Sequence, residues 1–233
     1  MKKLLLVLSV CLELFSQNVK IMYDIRVPYA MSDKKSISGF TATPTINALE
    51  KANLTYNLLK TPTKRQLAMI EINKEPICGI GWFKNAKREK FGKYTKALYQ
   101  DNATVIITRA EDSRFDLIYK SIDVIKKKNL KLLLKDGFSY GKFVDDKIKK
   151  YKPKTVKSLS NNLNMINMIK GKRADYMFIS YEEAYNLFET DSSLEYSMKI
   201  RYLTDMPKGN KRYLLCSKKV SSEFIDKFNK YLK

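Results

Sequence analysis

"CGIGWFKNAKREKFGKYTKALYQD", residues 78 to 101, holds the single tryptophan of a 233-residue chain. The segment "PICGIGW" (76–82) reads as a buried apolar strand, and the residues after it are dense in Lys and Arg. Three readings of that basic part compete. It is a solvated basic face with one stray indole, a wall that grips nucleic acid, or the rim of a small-molecule site. In the last case Trp82 is a platform and Arg88 an anion clamp. The sequence on either side weighs among them.

Towards the N-terminus, "VKIMYDIRVPYAM" (19–31) reads as a strand, with Pro28 and Tyr29 in the loop after it. "TPTINALEKANL" (43–54) follows as a helix, with Thr43 as cap and Pro44 in the first turn. "TYNLLKT" (55–61) is a short strand and "PTKRQLAMIEINK" (62–74) a helix. Strand, helix, strand, helix, strand is the order of an α/β unit with a largely parallel sheet. Ligands of such sheets bind outside the carboxyl ends of the strands. Tyr29 and Trp82 both fall there, so they could share one crevice.

A second series follows. "NATVIITR" (102–109) is a strand and "RFDLIYKSIDVIKKKN" (114–129) an amphipathic helix. "LKLLLKDGFSYGKFVDDKIKKY" (130–151) is strand, Gly-rich turn and helix. Gly137, Ser139 and Gly141 give it either the form of an anion site at a helix N-terminus or that of a plain tight turn. "NNLNMINMIKGKRADYMFISYEEAYNLF" (161–188) reads as helix, turn at Gly171, strand and helix. "RYLLCSK" (212–218) is a last strand, and Ser221 or Ser222 caps a last helix.

Hydrophobic residues make up 44% of the chain, enough for a folded globule, and the net charge is +21. The excess is mostly Lys spread along the whole sequence, which fits compositional bias better than a face selected for nucleic acid. No histidine occurs, which excludes Ser-His and Cys-His nucleophile pairs and imidazole metal ligands. Cys11, Cys78 and Cys216 are too few and too scattered for a zinc cluster, so no metal and no cofactor is expected. "MKKLLLVLSVCLELFSQ" (1–17) has the pattern of a secretory signal peptide. Val10 is bulky where lipid-attachment sites want a small residue, which argues against a lipid anchor at Cys11. An exported, periplasmic protein is expected.

In order and spacing the segments resemble the type II periplasmic solute-binding proteins, and most closely the family serving polar amino acid ABC transporters. "CGIGWFKNAKREKFGKYTKALYQD" resembles the family's strand followed by Thr-x-x-Arg and Phe-Ser-x-Pro-Tyr. Here these read Asn85-Ala86-Lys87-Arg88 and Tyr94 to Tyr99. "LKDGFSYGKF" is similar to the Gly-Thr/Ser turn of the second lobe, and "IKGKRADYMFIS" to the Gly-Arg-x-Asp segment. The resemblance implies an α/β fold of two lobes, each a mainly parallel sheet flanked by helices, joined by a two-stranded hinge. The expected organisation is a signal peptide at 1–17, a first lobe at 18–102, a second at 103–207, and a return to the first at 208–233. Arg88 is then the residue that forks a ligand carboxylate. Trp82, Phe83, Tyr29, Asn85, Gly137, Ser139 and Ser180 are expected around the ligand. The family carries a further helix beyond the position of Lys233, whose lack here implies a looser first lobe.

Departures shape the expected ligand. Phe83 replaces a small hydroxyl residue, and Ser180 stands where an aspartate usually takes the ligand ammonium. Glu182 and Glu183 lie close by at a helix start. A small carboxylate or amino acid-like solute with a flat or apolar body fits best, with an ABC permease as partner and a monomer as the form. Two alternatives stay open. One is a dehydratase-like enzyme on the same fold, for which only Glu182, Glu183, Asp24 or a Tyr could serve as acid or base. The other is a basic surface protein that binds anions or nucleic acid. The resemblance also makes the strands of Cys78 and Cys216 neighbours in one sheet, close enough for a disulfide.

Overall fold

The computed structural model describes residues 17–33 and 36–232, so the proposed signal peptide lies almost wholly outside the described residues. The chain forms strands β1 (Val19–Tyr23), β2 (Met31–Ser32) and β3 (Ile37–Ser38), then α1 (Ala42–Lys51), β4 (Tyr56–Lys60), α2 (Thr63–Ile72) and β5 (Ile77–Phe83). The short helix α3 (Ala86–Glu89), β6 (Gly92–Gln100), β7 (Val105–Arg109), α4 (Ser121–Lys126), β8 (Lys131–Lys135) and α5 (Lys142–Tyr151) follow. The rest is β9 (Lys154–Ser158), α6 (Asn162–Lys170), β10 (Tyr176–Ile179), α7 (Tyr181–Thr190), α8 (Ser193–Ser197), β11 (Met198–Arg201), β12 (Lys211–Ser217) and α9 (Ser222–Lys230).

Two five-stranded sheets result, in the orders β4-β1-β5-β12-β6 and β11-β7-β10-β8-β9, beside a β2–β3 hairpin. In the first sheet β12 runs against both its neighbours, and the other four strands share one direction. In the second sheet β7 is the reversed strand. Each reversed strand is the first that the chain forms on crossing into that sheet.

The alternating faces of the strands supply the cores. Ile21, Cys78, Leu214 and Cys216 pack under α1 and α9 with Leu49, Phe224 and Phe228. On the other face Met22, Ile77, Trp82 and Leu215 pack with Ile70 of α2. In the second sheet Val105, Ile107, Met177 and Ile179 face Met165, Ile166 and Ile169 of α6. Ile106, Tyr176 and Phe178 face the opposite way, towards Phe115, Val124 and Val144. β7 and β10 are buried along their whole length, which is why they read as unbroken apolar runs.

The two crossings run side by side. Asp101 N donates to Asn210 O at 3.0 Å. A Cβ on Gly209 would stand 2.1 Å from Asn102 O and 2.2 Å from Asp101 O, so only glycine allows this approach. Arg212 forks onto Asp101 through Nε and Nη2, each at 2.7 Å. Cys78 and Cys216 are register partners on β5 and β12 and are joined by a disulfide.

Three local expectations are corrected, and one strand was not expected. The strand expected over 19–31 stops at Tyr23, because Asp24 turns away to accept from Thr63 N and Thr63 Oγ1 at the start of α2. α1 begins at Ala42, so Thr41 is its cap residue and Thr43 lies inside the first turn, accepting from Gly39 N. The helix expected over 114–129 is split into a short 3-10 turn at Ser113–Phe115 and α4, since Asp112 and Asp205 each cap a separate start. β6 is a nine-residue strand that its Lys- and Tyr-rich sequence does not announce.

Candidate functional site between the lobes

β1 and β5 of the first lobe end at a cleft facing the turns after β8 and β10 of the second. A cavity of about 50 Å³ lies there, lined by Asp24, Tyr29, Trp82, Arg88, Ser139 and Arg212 among others. A neighbouring cavity of about 40 Å³ is lined by Lys135, Tyr140, Ser180 and Glu183 among others. Arg26, Phe83, Phe138, Ser139 and Arg212 border both.

Arg88 is placed by the one-turn helix after β5. Asn85 Oδ1 caps that turn by accepting from Arg88 N at 3.0 Å. The guanidinium lies 4.6 Å over the Trp82 ring. Nη1 donates to Phe83 O at 2.9 Å, and Nη2 reaches across the cleft to Gly137 O at 3.4 Å. Arg88 is only 5% exposed, like Arg109 (5%) and Arg212 (1%). Those two are paired with carboxylates, whereas Arg88 has none within ion-pair distance among the described residues. Burial pulls its guanidinium below the ordinary value, with Tyr94 and Asp145 acting the other way. A buried cation held by carbonyls alone keeps donor capacity for an anion.

Trp82 is buried on the α2 face of the first sheet and lines the cavity. Its Nε1 donates to Gln66 Oε1 at 3.3 Å. A Cβ on Gly79 would stand 2.4 Å from that nitrogen, so the glycine makes room for the indole. Phe83 borders both cavities under the Arg212 guanidinium, 4.6 Å from its ring centroid. Tyr29 is buried, with Arg212 3.6 Å over its ring, and it donates to Glu182 Oε2 at 3.0 Å. Burial drives the Tyr29 hydroxyl well above the ordinary phenol value, which makes it a fixed donor.

On the second lobe, Gly137 has φ +77 and offers its carbonyl to Arg88. Ser139 borders both cavities, but its hydroxyl donates to Asp145, which also accepts from Tyr140 N. A carboxylate of the chain itself therefore sits at the start of α5. Ser180 Oγ donates to Glu183 Oε2 at 2.7 Å. Six of the eight expected residues thus line one or both cavities of the cleft, and Gly137 borders a third one on the second lobe. Asn85 contributes as the cap beneath Arg88.

Sequence reasoning missed Arg26 and Arg212 and left Glu182 and Glu183 without a direction. Glu182 joins the lobes at the back of the cleft, accepting from Tyr29, Tyr99 and Asn102. Glu183 accepts Arg26 Nε at 2.8 Å and Arg26 Nη2 at 2.7 Å. Arg212 stands beside Lys211 at the start of the run "YLLC", where a basic pair reads as an exposed strand end.

No protein-family model matches the chain, and none of the curated proteins is similar to it in sequence. Solved structures are similar to it in fold. An ancestral arginine-binding protein bound to arginine matches with TM-score 0.70 and 16% identity, over 93% of this chain and 91% of that one. The substrate-binding protein of an amino acid ABC transporter matches with TM-score 0.68 and 16% identity, over 92% and 91%. An ancestral amino acid-binding protein that is a precursor of cyclohexadienyl dehydratase matches with TM-score 0.67 and 15% identity, over 93% and 88%. At this identity the likeness is one of architecture: the chain has the two-lobed α/β fold of periplasmic amino acid-binding proteins.

Proposed function

We propose that the protein captures a small carboxylate-bearing, amino acid-like solute between its two lobes. The observation that carries this reading is Arg88: a buried guanidinium at the cleft, stacked on Trp82, bonded only to backbone carbonyls. In this reading the lobes are 18–102 with 208–233, and 103–207. They hinge at the crossings held by Asp101 and Arg212 and close by rigid-body motion. Export through the N-terminal segment and delivery to an ABC permease complete the proposal. Both are supported by the company the fold keeps, which includes an amino acid ABC transporter's binding protein.

A binding role is favoured over catalysis by the state of the cleft acids. Glu182 and Glu183 are each saturated with donors, and Asp101 is forked by Arg212. None of these three is poised as a general base, and the remaining cleft acid, Asp24, is held through Oδ2 by Thr63 N and Thr63 Oγ1, which leaves only Oδ1 open. The test is a thermal-shift screen of amino acids, aliphatic carboxylates and aromatic acids. A ligand at about 100 times its dissociation constant adds roughly 2.7 kcal/mol of stability. A panel in which no carboxylate stabilises the protein rejects the reading.

A further inference from the structure

Glu183 sits on the second lobe, at the first turn of α7, with its side chain 2% exposed. Its carboxylate has four acceptor sites, two on each oxygen. All four are taken. Oε1 accepts Arg26 Nε at 2.8 Å and Asn162 Nδ2 at 2.7 Å. Oε2 accepts Arg26 Nη2 at 2.7 Å and Ser180 Oγ at 2.7 Å.

Arg26 comes from the other lobe, in the loop after β1, and borders both cavities. Its guanidinium lies 4.9 Å over the Phe138 ring of the second lobe and 5.5 Å over the Tyr29 ring of the first. A planar fork that meets a carboxylate with two parallel bonds, between two aromatic faces, is a strong form of this contact. It is also intramolecular, so a free ammonium competing for Glu183 must displace a tethered cation.

We propose that Arg26 is a specificity-determining residue that takes the position on Glu183 which a ligand ammonium would otherwise fill. The solute selected is then a carboxylate without an α-ammonium group. This rests on the reading of Arg88 as the carboxylate anchor. The other charged groups at the cleft are consistent with it. Arg212 is matched by Asp101. Lys135 and Glu183 line the same cavity, and Lys135 stands 4.7 Å over the Phe138 ring. Asp24, which lines the cavity with Arg88, is held by Thr63 through Oδ2 and has no hydrogen bond at Oδ1 among the described residues, so it is the cleft carboxylate left open to a ligand donor. With Arg26 and Arg212 matched, Arg88 and Lys135 against Asp24 leave the cleft with cations in excess, which a monoanionic acid offsets and a zwitterion does not.

The experiment compares matched pairs by calorimetry: L-phenylalanine with hydrocinnamate, L-glutamate with glutarate, and L-alanine with propionate. Wild type should bind the deaminated member of the preferred pair at least as tightly as the amino acid. Arg26→Ala frees Glu183, and the ratio should move towards the amino acid by about tenfold or more. The double variant Arg26→Met with Glu183→Gln should lose that move. Arg26→Gln keeps one donor on Glu183 and carries the same test if Arg26→Ala fails to fold. A wild type that prefers the amino acid by about tenfold, or a ratio unmoved by Arg26 variants that still bind carboxylates, overturns the proposal. If neither member of any pair binds wild type or variant, the solute-capture reading itself falls and takes this inference with it, a result distinct from an unmoved ratio.

Discussion

Asp101 and Arg212 meet through two bonds of 2.7 Å at the place where the chain crosses between the sheets in both directions. Their side chains are 3% and 1% exposed. Removing one partner leaves a buried, uncompensated charge. Asp101→Asn is expected to destabilise the fold by about 3–5 kcal/mol in urea denaturation. A loss below about 1 kcal/mol, the worth of an exposed pair, would show the crossing to be open to water.

The disulfide between Cys78 and Cys216 spans 138 residues and ties the returning strand β12 to β5. Cys78→Ala with Cys216→Ala should cost about 2–5 kcal/mol. Mass spectrometry of the unreduced protein should find both sulfurs oxidised and blocked to alkylation. Two alkylatable thiols in unreduced, folded protein would contradict the bond.

Burial pushes the Glu183 carboxyl up, but the charge and hydrogen bonds of Arg26, aided by Arg212 and Ser180, override it and hold it at about 2. That lies below the ordinary value of about 4.3, so the unfolded chain binds the proton first. The stabilisation is fully present above about pH 4.3 and is lost as pH falls through about 2, on the order of 3 kcal/mol in all. Urea midpoints of wild type should therefore fall more steeply on acidification than those of Arg26→Met. Parallel curves would mean that the pair does not form in solution.

Trp82 carries the Arg88 guanidinium 4.6 Å above its ring and lines the cavity, and it is the chain's only indole. Any ligand that raises the melting temperature should also shift Trp82 emission. Arg88→Ala should change the emission without ligand. Stabilising ligands that leave the spectrum unmoved would bind elsewhere.

Much of the fold was legible because it rests on local signals. Apolar runs such as those of β5, β7 and β10 need no partner to be recognised, and of the two candidate serines it is Ser221 that caps α9, accepting from Phe224 N. Arg88 and Trp82 were legible for the same reason: they share one short segment. What escaped was whatever depends on distant residues. Arg26 and Glu183 are 157 positions apart, Tyr29 and Glu182 153, Asp101 and Arg212 111. Nothing within "YDIRVPY" says that Arg26 finds a carboxylate on the other lobe. β6 was hidden because its Lys and Tyr residues give no apolar run and its pairing comes from β12, which arrives from the far end of the chain.

The central claim is that Arg88 anchors the carboxylate of a captured solute. Its most direct test is calorimetric titration of wild type and Arg88→Ala with the best carboxylate from the thermal-shift screen. The account predicts a loss of about 2–5 kcal/mol in binding with little change in folding. Equal affinity in the two proteins would contradict it.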